Sequence, residues 1–179
     1  MTQDARSAGT ALEQVLSSRK EAILGQWRRA VLETYAAETR AFLTSEEDPF
    51  CNPLGQVLNR TGEALFLIAA TGMERERTED ALSDIVRIRA VQDFPPSRAL
   101  SFVDAMKKAI RHELSPMVVE KTGLGRLLDM ESRLDEAMLV AIDLYVACKK
   151  RIDDIRIREM RAEKERLLKL MRAMGGGVG

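Results

Sequence analysis

Four polar residues that could bind a ligand or a partner lie close together in the sequence, and these are Arg87, Arg89, Gln92 and Asp93. A guanidinium group suits carboxylates and phosphates because it donates two parallel hydrogen bonds. At about 100° per residue on a helix, Arg87 points to the solvated side, whereas Arg89 and Gln92 fall within the apolar stripe. This group is therefore a candidate ligand- or partner-binding site.

The position of Arg89 within the apolar stripe predicts that its side chain is buried. A guanidinium that leaves water without a partner is destabilising, so Arg89 must form an ion pair, cap a helix C-terminus or meet a bound anion. We favour an internal ion pair that fixes the turn at Asp93–Ser97, and a ligand or partner contact is the alternative. If a buried carboxylate is the partner, Arg89→Ala should cost roughly 3–5 kcal/mol.

Residues for catalysis or metal binding are few. The single histidine, His112, lies on the polar side of its helix, so we expect it to face water rather than to bind haem. Cys51 and Cys148 are far apart and have no metal-ligand spacing, and no Glu-x-x-His pair or phosphate-binding loop occurs. The sequence predicts no catalytic residue, no metal and no cofactor, so we expect a protein that is not an enzyme.

Composition favours a helical protein with an unevenly distributed charge. Of 179 residues, 45% are hydrophobic, only 4% are aromatic and nine are Met, which is typical of helices packed through aliphatic and thioether side chains. The net charge is zero, which argues against a nucleic-acid partner. Residues 149–172 hold ten Lys or Arg against five Asp or Glu, so this segment carries +5 and could attract an acidic partner.

The N-terminus lacks a basic start followed by an apolar core, and no apolar run approaches the roughly 20 residues that a membrane span needs. We therefore expect a cytoplasmic protein without a membrane span.

Apolar residues that recur every three or four positions predict helices along most of the chain. A long first helix carries Trp27, which we expect in the core. Asn52 should cap the next helix, with Pro53 at its first position. Thr78 is expected to start the helix that contains Arg89.

That helix cannot continue through two consecutive prolines, because each lacks an amide hydrogen and biases the preceding residue toward extended backbone. We predict a rigid structural turn formed by Phe94, Pro95, Pro96 and Ser97, with Ser97 as the cap of the following helix.

The last helix should begin near Arg126 and repeat apolar residues with the period of a coiled coil. Residues 126–174 would span roughly 70 Å, more than a small domain can cover, so we expect a homodimer formed through this helix. The predicted dimer seam comprises Tyr145, Ile152, Ile155, Met160 and Leu167. The alternative is a shorter helix that breaks near Ile155 and folds back onto the core.

These patterns together predict an all-α fold, a helical bundle of about five or six helices with a long, coiled-coil-like C-terminal helix. The predicted organisation is a polar lead at 1–9, a helical domain at 10–148, a helical extension at 149–174 and a flexible tail at 175–179.

Two motifs, Arg87-Ile-Arg-Ala-Val-Gln-Asp-Phe-Pro-Pro-Ser97 and Phe50-Cys-Asn-Pro53, resemble the RsbT co-antagonist (RsbRD-type) N-terminal domain family over about residues 10–165. The resemblance implies a sensor-type input domain of bacterial stress-signalling proteins, with a globin-like topology as one option. In that family such a domain precedes an output module, commonly a STAS domain or a kinase. Because this chain stops after the long helix, we expect the output or regulatory protein to be a separate partner.

We therefore expect a non-catalytic regulatory or sensor domain that acts by dimerisation and partner binding. The alternative is a small helical protein that carries a cofactor or metal, or an accessory subunit of an enzyme. A visible absorption spectrum would distinguish the two functions.

Overall fold

A computed structural model describes residues 2–45, 53–114 and 121–175, with side chains over 15–41, 53–114 and 123–172. Within these residues there are seven α-helices and no β-strand, so the all-α prediction is confirmed. In chain order the helices are α1 (Thr2–Leu32), α2 (Ala37–Ser45), α3 (Pro53–Thr71), α4 (Arg75–Val91), α5 (Pro96–Ala99), α6 (Ser101–Leu114) and α7 (Lys121–Gly175). The structure has more helices than the five or six expected because α2 and α5 are short helices that the sequence pattern did not indicate.

The bundle is built from α1, α3, α4, α6 and the first half of α7. Helix α1 packs mainly against α6, α7 packs mainly against α4, and α3 contacts α1, α4 and α7. The stripes that the sequence places every three or four residues converge on one core, because each helix must remove its apolar face from water. Its fully buried members include Ile23, Trp27, Leu65, Leu82, Ile85, Phe102, Met106, Ile110 and Leu134.

Trp27 lies at the centre of this core, as expected. Only 1% of its surface is exposed, and its Nε1 donates a hydrogen bond of 2.7 Å to the carbonyl oxygen of Phe102. The indole ring reaches α3 at Gly62, where an added Cβ would lie 2.7 Å from Cζ3 of Trp27. Gly62 is therefore required by close packing between α1 and α3.

Several helix ends differ from the sequence expectations. Helix α4 begins at Arg75, three residues before Thr78, whose buried hydroxyl donates to the Glu74 carbonyl at 3.0 Å. A threonine that bonds back to the helix backbone can lie inside the first turn. Pro53 is the first residue of α3 as predicted, whereas the expected cap Asn52 lies outside the described residues.

The bounds of α1 and α7 can be compared with the segments expected from the sequence. Helix α1 starts at Thr2 and so includes the predicted polar lead. Helix α7 starts at Lys121 rather than near Arg126, and it ends at Gly175. Of the predicted tail, residues 176–179 lie outside the described part of the chain.

Helix α7 is continuous over 55 residues, so it does not break near Ile155. A helix of this length spans about 80 Å, and all side chains from 153 to 172 are exposed. The second half of α7 therefore extends beyond the bundle. In the described residues, none of the helices is both long and apolar enough to cross a membrane.

Gly62→Ala should destabilise the protein by about 1–3 kcal/mol, because the new methyl group overlaps the Trp27 ring in a packed core. Gly25→Ala is the matched control, since nothing lies within 4 Å of its added Cβ. This control should stabilise the helix by up to about 1 kcal/mol. Urea unfolding followed by circular dichroism measures both changes, and equal effects would contradict the close contact.

Candidate functional site

The turn between α4 and α5 comprises residues 92–95 and so lies two residues earlier than the sequence predicted. Helix α4 ends at Val91, and Asp93 adopts the left-handed backbone conformation with φ of 57°. Pro95 is extended and precedes α5. Pro96 and Ser97 therefore lie in the first turn of α5 rather than in the connection. Ser97 is exposed, and the N-cap position belongs to Pro95, so the predicted Ser97 cap is not formed.

Arg89 is fully buried at the end of α4, as its position in the apolar stripe predicted. Its Nη2 donates to Thr34 Oγ1 at 2.6 Å and to the Arg98 carbonyl oxygen at 3.1 Å. The guanidinium carbon lies 5.2 Å from the ring centroids of both Tyr35 and Phe94. Two aromatic faces and two neutral oxygens therefore surround the charge.

No carboxylate from the described residues forms an ion pair with Arg89, so the internal ion pair that we favoured from the sequence is not found there. Cation–π contacts, rather than an ion pair, stabilise the guanidinium, and such contacts strengthen when the cation is desolvated. The Tyr35 and Phe94 rings also contact each other edge to face, with centroids 5.7 Å apart. We call Thr34, Tyr35, Arg89, Phe94 and Arg98 the turn cluster.

The turn cluster retains unused hydrogen-bonding capacity. Nε and Nη1 of Arg89 and the hydroxyl of Tyr35 are buried without a hydrogen-bond partner, although Tyr35 and Arg89 interact electrostatically. Burial lowers the pKa of Arg89, an effect that Tyr35 opposes and Arg98 reinforces. Burial raises the pKa of Tyr35, and Arg89 opposes this shift. Both groups thus carry a desolvation penalty that neighbouring contacts offset in part.

Arg98 is a member of the cluster that sequence reasoning missed. Its guanidinium carbon lies 4.6 Å from the Phe94 centroid, and its Nη2 donates to the Thr34 carbonyl oxygen. Phe94 therefore contacts two guanidinium groups. The spacing of Phe94 and Arg98 does not signal this contact, because Phe94 precedes α5 and Pro95 between them is extended.

Helix α7 is bound to the same turn through two contacts. The Tyr145 hydroxyl donates to the Phe94 carbonyl at 2.7 Å, and Lys149 Nζ lies 2.7 Å from Asp93 Oδ1. This hydrogen bond raises the pKa of Lys149 and lowers that of Asp93. Because both charged groups reach solvent, the ion pair contributes little to stability, and the buried Tyr145 makes the stronger connection.

The structure does not bring the side chains of the four predicted binding residues together. Arg87 and Gln92 are exposed, whereas Arg89 belongs to the turn cluster and Asp93 contacts Lys149. His112 is exposed as expected. Among the described residues, no group of three or more His, Cys, Asp or Glu side chains could hold a metal ion.

The predicted dimer seam contains residues from two sides of α7. Tyr145 is 5% exposed and packs in the core, and Ile152 is half-buried against the same core. Their side chains are therefore occupied by contacts within their own bundle. Ile155 lies on this bundle side but beyond the bundle, at 46% exposure. Met160 and Leu167 point to another side, because the frame of the repeat shifts after Ile155.

A second apolar surface runs along α7 on the side of Met160 and Leu167. At about 100° per residue its members fall within an arc of roughly 100°. We call this surface the outer face, and its members are Leu139, Ile142, Val146, Ile157, Met160, Leu167, Leu168 and Met171. Each is at least 40% exposed, and within the described residues no other helix covers them.

A groove borders the outer face where α5 and α6 meet α7. Its volume is about 550 Å³, and most of its surface is apolar. The lining residues include Leu100, Met138, Ile142, Tyr145 and Val146. The groove and the outer face therefore form one continuous apolar surface, which reaches the turn cluster through Tyr145.

Comparisons with known proteins give one family and one relative. The sequence model of the RsbT co-antagonist protein rsbRD N-terminal domain matches residues 21–160. An uncharacterized protein of Archaeoglobus fulgidus is 27% identical over 93 residues, which cover 51% of this chain and 58% of that protein. The aligned part thus spans less than two thirds of the relative. No solved structure gives a significant match.

Arg89→Met should unfold within about 1 kcal/mol of the wild type, because an apolar side chain of similar length fills the site without a desolvation penalty. Neither acceptor is stranded, since Thr34 also bonds to the Val31 carbonyl and the Arg98 carbonyl also accepts from Ser101. Arg89→Ala should lose roughly 2–5 kcal/mol, because it leaves a cavity. Urea unfolding followed by Trp27 fluorescence compares them. If Arg89→Met lowers the free energy of unfolding as much as Arg89→Ala does, the positive charge itself stabilises the fold, as it would if it bound an anion.

Proposed function

The chain belongs to the RsbT co-antagonist protein rsbRD N-terminal domain family, and from this premise we propose that it is a non-catalytic regulatory domain of a stress-signalling system. It acts in the cytoplasm by self-association and by binding a separate output or regulatory protein. The observation that carries the proposal is the projection of α7 from the bundle with an uncovered apolar face.

The connection between the turn cluster and α7 supports a regulatory role. Tyr145 joins the Phe94 carbonyl to the middle of α7, and Lys149 joins Asp93 one turn later. A change in the packing around Arg89 would therefore alter how α7 leaves the bundle. Since a helix is stiff over many turns, this alteration would reach residues 153–172.

Self-association follows from the free energy of the exposed apolar side chains. Exposing them is unfavourable by about 25 cal/mol per Å², and pairing with the same helix of a second chain removes this surface from water. A homodimer is the simplest closed assembly that achieves this.

Partner binding is supported by the charge of the extension. Residues 149–172 carry a net charge of +5, which suits an acidic protein surface. A nucleic-acid partner is disfavoured because the chain as a whole is neutral and the same segment contains five acidic residues.

The double substitution Met160→Asp with Leu167→Asp should convert a dimer into a monomer in sedimentation equilibrium at micromolar concentration, because it introduces charges on the outer face. Ile155→Asp is the control, since Ile155 is also exposed, at 46%, but lies on the bundle side of α7. It should leave the dimer unchanged. A wild-type protein that is monomeric at this concentration would contradict self-association.

Protein purified from its own host should have no visible absorption band, because a regulatory domain of this kind needs no cofactor. The measurement is a visible spectrum combined with metal analysis, with apo-globin reconstituted with haem as a positive control. A Soret band or stoichiometric iron would overturn the non-catalytic proposal in favour of a cofactor-carrying protein.

A further inference from the structure

We infer that two copies of this chain pair antiparallel through the outer face of α7, so that the basic extension of each copy lies along the acidic bundle half of the other. The inference rests on the self-association proposed above and adds its geometry. It identifies the second copy as the occupant of the groove beside α5 and α6.

The spacing of the outer face favours a long contact between two helices. Val146, Ile157 and Leu168 are separated by eleven residues, and Met160 and Met171 repeat the same interval. Eleven residues correspond to three helical turns and about 20°, so this repeat keeps its side chains on one side of the helix with the slight drift that produces a right-handed supercoil. The face thus continues from the bundle half of α7 into the extension, with Lys150 and Asp153 between its two apolar stretches.

Charge decides the direction of the pairing. Residues 123–148 contain five acidic residues and two arginines, a net charge of −3, whereas residues 149–172 carry +5. Parallel pairing would place the two +5 segments side by side. Antiparallel pairing places each +5 segment against a −3 segment, and complementary charge across an interface selects orientation and excludes the like-charged alternative.

Two acidic groups on the bundle half remain accessible to a second copy, whereas Glu131 is mostly buried in its pair with Arg111. Asp135 pairs with Lys107 and Asp143 pairs with Arg75 of their own bundle. Their side chains nevertheless keep 64% and 65% of their surface exposed. Each can therefore attract an additional cation from the partner's extension.

The positions of the apolar residues fix the register. The bundle half contributes Leu139, Ile142 and Val146, and the extension contributes residues from Ile157 onward. An axis between residues 151 and 152 places Val146 of one copy opposite Ile157 of the other, and Ile142 opposite the turn that contains Met160. The flexible Met160 side chain then enters the groove lined by Leu100 and Met138.

The same register places opposite charges near the axis. Residue 150 is Lys and faces residue 153 of the second copy, which is Asp, while Lys149 stays paired with Asp93 of its own chain. In a parallel pair, Asp153 would face Asp153 and residue 150 would face residue 150. Like charges in direct apposition destabilise such a pair.

Disulfide cross-linking tests the direction. In a background with Cys51→Ala and Cys148→Ala, we would prepare Val146→Cys and Ile157→Cys separately, and both positions are exposed enough for the fold to be retained. After mixing and oxidation, the two variants together should give roughly tenfold more covalent dimer than either alone, because the bound geometry raises the effective thiol concentration. Alone, two copies of residue 146 are eleven residues apart along the axis, roughly 16 Å, which no disulfide can bridge.

Arg158→Cys mixed with Val146→Cys is the matched control, since residue 158 lies on the opposite side of α7 and should not cross-link. Dimerisation should also weaken roughly tenfold when salt rises from 0.1 to 1 M, because the Debye length falls from about 10 to about 3 Å.

Efficient cross-linking of Val146→Cys with itself would overturn the antiparallel arrangement while leaving self-association intact. A wild-type monomer in sedimentation equilibrium would instead overturn the self-association on which the inference rests. A dimer that strengthens with salt would also contradict the antiparallel arrangement, since parallel +5 segments repel each other less when screened.

Discussion

The burial of the Arg89 guanidinium is the constraint on which the rest of the turn depends. Removing this cation from water is unfavourable by several kcal/mol, and no described carboxylate compensates it. The compensation comes from two aromatic faces and two neutral oxygens on three separate segments, the connection after α1, the turn itself and α5. Each segment is held where it can supply its ring or its carbonyl oxygen, so one buried charge defines how α1, α4 and α5 meet.

That constraint extends to α7 because Phe94 uses both its ring and its backbone. The ring faces Arg89, and the carbonyl oxygen accepts the hydroxyl of Tyr145. The position of α7 along the bundle is thereby linked to the packing around Arg89. The side chains of residues 153–172 are then all exposed, so the exit direction of the helix is set at Tyr145, which is buried, and Ile152, which is half-buried.

Periodicity and turn chemistry were sufficient to predict the all-α fold, the long last helix and the burial of Arg89. They could not identify the environment of Arg89, because Tyr35 lies 54 positions earlier and only the tertiary fold brings the two together. Tyr145, which the sequence placed in the predicted dimer seam, packs in the core of its own bundle for a related reason. The most regular apolar repeat on α7 belongs to the side that packs on its own bundle, and spacing alone cannot tell which surface covers a stripe.

The two apolar sides of α7 differ in what covers them. This difference explains why the burial and the net charge of the helix both change near Ile152. Over residues 139–148 both sides are apolar, which is typical of a helix packed between two neighbours. The bundle supplies one neighbour and ends near Ile152, and the net charge of α7 changes sign at about the same point. The outer face continues through this point to Met171, so its cover cannot come from the described part of the bundle. A protein that depends on a second chain to cover such a face becomes more stable as its concentration rises. The free energy of unfolding of this helix should therefore depend on protein concentration, because unfolding and dissociation of the dimer are coupled.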